Sequence, residues 1–110
     1  MLFRSLKEAI SKYYDLYKNE DCEFIKSFPK QIEFSSSWFV KMQSGGHLTS
    51  HIHEDGWISG AIYLSIPNKT KTQDEGAIEL STHGDDYPII NDDFPKKVIK
   101  PKEGDVILFP

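Results

Sequence analysis

From Leu2 to Lys18, apolar residues recur at Phe3, Leu6, Ile10, Tyr13 and Tyr17, with Arg4, Lys7, Glu8, Lys12 and Asp15 between them. Steps of three and four residues place the apolar set on one stripe of a helix. The pattern therefore predicts an amphipathic helix over 2–18 whose apolar side covers something. After the polar break "KNEDCE" the pattern changes to short segments rich in β-branched and aromatic residues: "SSWFVKMQ", "HLTSHIH", "WISGAIYLSI", "GAIELS", "KKVIK" and "DVILF". These predict strands in a β region spanning 32–110. Turn formers separate them at Ser44-Gly45-Gly46, Glu54-Asp55-Gly56, Pro67 to Gly76 and Gly84 to Pro95. Strand segments this closely spaced, with no helical pattern between them, favour an antiparallel sandwich or small barrel with the helix packed outside.

At 110 residues, with 38% hydrophobic and 27% charged residues, the chain has the size and apolar content of a single domain. A net charge of -4 argues against a nucleic-acid surface, which needs clustered Lys and Arg. Lys96, Lys97, Lys100 and Lys102 are interleaved with Pro95, Val98 and Ile99 and read as the solvated face and flanks of an edge strand. The lone Cys22 excludes an intrachain disulfide; it reads as a buried or idle thiol in a reducing compartment. No apolar run reaches the roughly 18 residues of a membrane span, and "MLFRSLKEAI" carries charge where a signal peptide would be apolar. A cytoplasmic protein with no membrane partner is the expectation. Asn68-Lys69-Thr70 then reads as a turn, not as a glycosylation site.

The chemistry concentrates in "GGHLTSHIHEDG", residues 45–56. On a strand, Leu48, Ser50 and Ile52 would face one way and Thr49, His51 and His53 the other. Same-face neighbours lie roughly 7 Å apart, a span that two imidazoles can close onto one ion with bonds of about 2.0–2.1 Å. Catalytic sites usually need a third protein ligand. His47, Glu54 and Asp55 are near in sequence, while His83 lies in a loop too distant in sequence to place. Spacing alone leaves two readings open, a metal site or a pair of hydrogen-bonding surface histidines.

The run "SSWFVKMQSGGHLTSHIHEDGWISGAIYLSIP", then "GAIEL", then "IKPKEGDVILFP", resembles the iron(II)- and 2-oxoglutarate-dependent oxygenases, in the branch whose first metal motif has two histidines. The resemblance runs from about Ser36 to Pro110. It implies a double-stranded β-helix, or jelly roll, with a metal in its mouth. It further implies Fe(II) as cofactor, 2-oxoglutarate as co-substrate and hydroxylation of a small-molecule or protein side-chain substrate. His51 matches the first iron ligand, and His53 stands where most relatives carry Asp or Glu. Tyr63 matches a residue that often lines the co-substrate pocket, and reads equally as an aromatic of the strand core. Gly104 and Asp105 read as turn formers. In the family, the position of Phe109-Pro110 is followed by a second iron-binding His and an Arg or Lys for 2-oxoglutarate, whereas Arg4 is the only arginine in this chain. The resemblance therefore implies a jelly roll that is incomplete at its C-terminus, with exposed sheet edges. Alone, this chain is expected to be marginally stable, to bind iron more weakly than about 1 µM and to catalyse nothing.

Two other readings come from the same residues. A cupin, a metal-binding jelly roll without 2-oxoglutarate, would use Gly45 and His51-x-His53 as its first motif, and "GDVILFP" resembles the start of its second. However, Glu54 comes too early for the cupin glutamate, Trp57 and Ile58 occupy its place, and "SGAIYLSIP" fits the oxygenases better. A non-catalytic binding module would use both histidines only as polar residues.

Overall fold

A computed structural model of the chain describes residues 2–67, 72, 74–84 and 86–110. The Asn68-Lys69-Thr70 sequon and Asp85 lie outside the described residues. In chain order the elements are α1 (Leu2–Tyr17), α2 (Glu23–Lys26), β1 (Ser59–Ile62), β2 (Ile78–Ser81), β3 (Lys96–Ile99) and β4 (Val106–Phe109). They fall into two compact units, Met1–Val40 with Pro110, and Lys41–Phe109. None of the described helices is long and apolar enough to cross a membrane.

In the first unit the apolar stripe of α1 is covered by the short α2 and the residues after it. Ile10 and Ile25 are each only 5% exposed and form its buried centre. Aromatic rings close around them. Tyr13 meets Phe24 edge-on with centroids 6.3 Å apart, Tyr14 lies 5.0 Å from Phe28, and Phe24 meets Phe28 edge-on at 5.7 Å. Edge-to-face and tilted arrangements suit the ring quadrupole and add to the area buried. Burial holds the Tyr13 hydroxyl above the ordinary tyrosine pKa, with Tyr17 and Cys22 adding to the effect. The opposite side of α1 carries the exposed Arg4–Glu8 pair at 3.1 Å, and Lys18 reaches Asp15 at 3.5 Å. Exposed pairs of this kind contribute little. Periodicity missed α2 because its single turn is too short to show one and follows a run of polar residues. Cys22, the residue before α2, is exposed.

In the second unit β1 pairs antiparallel with β4, from Ser59↔Phe109 to Ile62↔Val106. β2 pairs antiparallel with β3, from Ile78↔Ile99 to Ser81↔Lys96. The pairing is nested, with β2 and β3 adjacent in sequence and β1 and β4 joined across them. Each ladder runs slightly beyond its strands. The Tyr63 N–H donates to the Asp105 carbonyl at 3.0 Å, the Gly104 N–H to the Tyr63 carbonyl at 2.7 Å, and the Thr82 N–H to the Pro95 carbonyl at 3.3 Å. In β2, half-buried Ile78 and Leu80 alternate with exposed Glu79 and Ser81, the period-two pattern of a strand with one wet face. The turn into β4 is held from both ends: the Asp105 N–H donates to the Lys102 carbonyl at 3.0 Å, and the Asp105 carboxylate accepts the Lys102 N–H at 2.7 Å. Gly104, at φ +87, supplies the left-handed residue this turn requires. Gly104 and Asp105 are turn formers, as expected.

Two expected strands do not form. Residues 36–43 and 47–53 carry no strand, and "WISGAIYLSI" contributes only Ser59–Ile62. Strand propensity describes how well a residue fits a pleated, half-buried surface, and it becomes a strand only when a neighbouring edge is there to bond. Trp38 and Phe39 remain 65% and 75% exposed. The described residues thus form an antiparallel, β-rich architecture with a helix at its N-terminus.

Candidate metal centre

The segment that carries the histidines leaves a tight turn in which the Gly46 N–H donates to the Gln43 carbonyl at 2.9 Å. It then runs through residues 47–54 without helix or strand. The two imidazoles meet even without a ladder. Nε2 of His51 lies 3.0 Å from Nε2 of His53, and the ring centroids are 5.0 Å apart at a 33° tilt. Nδ1 of His51 lies 2.8 Å from the Thr49 carbonyl oxygen.

That last contact assigns the protons. A carbonyl can only accept, so Nδ1 of His51 is the donor of this bond; in the neutral ring Nε2 is then an acceptor, and Nε2 of His53 is the donor between the two rings. A hydrogen bond from Nδ1 to a backbone carbonyl is also the contact that orients most metal-binding histidines and fixes their tautomer.

The spacing allows a test of fit. Two nitrogens bound at about 2.1 Å and at right angles, as on one face of an octahedral ion, lie about 3.0 Å apart. A tetrahedral ion would need about 3.4 Å between them. The observed 3.0 Å is the length of an N–H···N hydrogen bond and is also close to the octahedral edge, so the distance admits both a hydrogen-bonded pair and two ligand positions. Among the described residues no group of three or more His, Cys, Asp or Glu side chains could hold a metal, so neither His47, Glu54 nor Asp55 completes a triad. His51 is exposed, and His53 is half-buried with its ring 5.8 Å from that of Phe109 at the end of β4.

The other sequence candidates lie elsewhere. Nε2 of His83 donates to the Tyr87 carbonyl at 3.2 Å, and its ring stacks on Phe94 with centroids 5.1 Å apart. Lys96 places its ammonium 4.9 Å from the same Phe94 ring. Tyr63 is half-buried just past the end of β1, and burial pushes its hydroxyl pKa up. Sequence reasoning did not link Ile52 to Gly84, where an added Cβ would come within 3.0 Å of Cγ1 of Ile52. The available signal was that Ile52 is the apolar residue between two polar ones.

A family model described as "Putative 2OG-Fe(II) oxygenase" matches residues 36–110. The chain belongs to this oxygenase family. The oxygenase match takes in both histidines, Tyr63 and all four strands, and leaves α1 and α2 outside it. No curated protein and no solved structure matches the chain. Within the oxygenase family, Fe(II) and 2-oxoglutarate are the general cofactor and co-substrate.

Proposed function

We propose that this chain carries active-site residues of an iron(II)- and 2-oxoglutarate-dependent dioxygenase, built on a jelly roll, that hydroxylates a small-molecule or protein side-chain substrate. His51 and His53 are two of its metal ligands. The observation that carries the reading is the 3.0 Å approach of the two Nε2 atoms, with His51 held in the ligand tautomer by Thr49. The nested strand pairing supports the jelly roll, since a long antiparallel hairpin folded across itself leaves its inner and outer pairs in different sheets.

Iron, when bound, supplies the redox chemistry by which O₂ and 2-oxoglutarate become succinate and CO₂ while a substrate C–H becomes C–OH. The chain's own residues prepare for that. The Thr49 carbonyl keeps the His51 proton on Nδ1, so this ring needs no rearrangement to donate its lone pair. His53 would do the same through a ring nitrogen that carries no proton. A neutral imidazole at position 53 leaves one more positive charge at the site than the usual carboxylate would, which favours the dianionic co-substrate. Tyr63, whose hydroxyl stays protonated, is suited to donate a hydrogen bond to a 2-oxoglutarate carboxylate.

The test is succinate production from 2-oxoglutarate by the full-length protein supplied with iron(II) and ascorbate. Turnover that vanishes in His51→Ala, with iron content falling in parallel, supports the proposal. Metal binding without any 2-oxoglutarate consumption would favour the cupin-type reading. Unchanged metal content in both His51→Ala and His53→Ala would favour the binding module.

A further inference from the structure

We infer that Ile52 and Gly84 are positioning residues for the histidine pair: the absent side chain of Gly84 leaves a recess for the tip of Ile52, and seating Ile52 there turns the imidazoles on either side of it toward each other. This rests on the reading of His51 and His53 as ligands.

Residues 47–53 have no ladder, so no interstrand bonds fix which way their side chains point. In extended chain, consecutive side chains leave on opposite sides, so anchoring residue 52 on one side sends 51 and 53 together to the other. Ile52 is the apolar side chain available for that anchor. It is 47% exposed overall, yet its tip lies against Gly84, which is itself buried.

Gly84 is not among the glycines with positive φ, so its backbone does not demand glycine. Space does. A Cβ there would come 2.8 Å from Cδ2 of Tyr87 and 3.0 Å from Cγ1 of Ile52, and closer still to Cδ1 of Ile52. Local bonds hold the backbone around the recess. The Tyr87 N–H donates to the Gly84 carbonyl at 3.1 Å, His83 donates to the Tyr87 carbonyl at 3.2 Å, and the His83 ring is stacked on Phe94. A side-chain contact across 32 positions of sequence thereby does for the histidine segment what a neighbouring strand would do by hydrogen bonding.

The test compares the full-length chain with Gly84→Ala, Ile52→Ala, the double variant Gly84→Ala with Ile52→Val, and His51→Ala. Two readouts are taken well below each variant's melting temperature. One is affinity for nickel(II), an air-stable stand-in for iron(II). The other is the ¹⁵N signals of the metal-free imidazoles, which report the hydrogen bond shared by the two Nε2 atoms. Gly84→Ala should weaken nickel binding about tenfold, within the range seen for residues that orient metal ligands, and abolish the shared hydrogen bond. The double variant removes the colliding Cδ1 and should recover to within about threefold of the parent, a non-additivity that general destabilisation would not give. Ile52→Ala keeps the experiment decisive if Gly84→Ala does not fold, because Ile52 is half exposed and contributes little core; it too should lose the shared hydrogen bond. If His51→Ala weakens nickel binding while Gly84→Ala and Ile52→Ala behave as the parent by both readouts, the positioning role is overturned and the metal site stands. If His51→Ala leaves binding unchanged, the ligand reading fails, and the imidazole signals alone decide whether Ile52 aligns the rings.

Discussion

At the scale of single residues, the site depends on how the two imidazoles are held. The Thr49 carbonyl accepts from Nδ1 of His51, and the two Nε2 atoms lie within hydrogen-bond distance of each other. The identity of residue 53 then sets metal preference, since imidazoles suit nickel, copper, iron and zinc, while carboxylates suit manganese and harder ions. His53→Asp should lower the ratio of nickel to manganese affinity by about tenfold, measured by competitive titration of the full-length protein. Tyr63 gives a second expectation. Its folded-state pKa is raised by burial, so below about pH 10 folded and unfolded chains both hold the proton and its contribution does not change with pH. Above that the unfolded chain ionises first and binds fewer protons, so stability falls as pH rises. Denaturant melts across that range should show a loss that is smaller in Tyr63→Phe, after allowing for the same effect at Tyr13.

At the scale of elements, sequence pattern succeeded where one chain segment decides its own structure and failed where a partner decides it. The stripe from Leu6 to Tyr17 makes a helix visible by its spacing alone, and α1 spans Leu2–Tyr17 against an expected 2–18. "GAIELS", "KKVIK" and "DVILF" each contain an observed strand. "SSWFVKMQ" and "HLTSHIH" were also expected as strands and form none, because pairing depends on a neighbour that propensity does not describe. The single turn of α2 was hidden for the opposite reason: Phe24, Ile25 and Phe28 take their meaning from the rings of α1, not from any repeat of their own. Phe24→Ala should therefore cost about 1–2 kcal/mol, less than a full core deletion because the ring is only half-buried. Hydrogen exchange should show the loss in residues 2–28, with the β2–β3 ladder unaffected. Equal loss of protection in both units would contradict the view that each has its own packing.

At the scale of the whole molecule, the family match and the elements divide the chain differently. The oxygenase match begins at Ser36, so the helical pair at the N-terminus is additional to the family's domain and has its own buried centre at Ile10 and Ile25. The candidate site lies wholly in the second unit, where His53 reaches Phe109 at the end of the β1–β4 ladder. Its two histidines were legible in "HIH". Their mutual approach was expected from strand alternation, yet no strand is there, and the side chain of Ile52 between them lies against Gly84. That contact was not legible, since nothing in the sequence says which glycine will receive a side chain from 32 positions away. The most direct test of the central claim is X-ray absorption spectroscopy of the full-length protein loaded with one equivalent of iron(II). Two imidazoles in the first coordination sphere, falling to one in His51→Ala and to one in His53→Ala, are expected; a sphere of oxygen donors alone, unchanged by either substitution, would contradict the account.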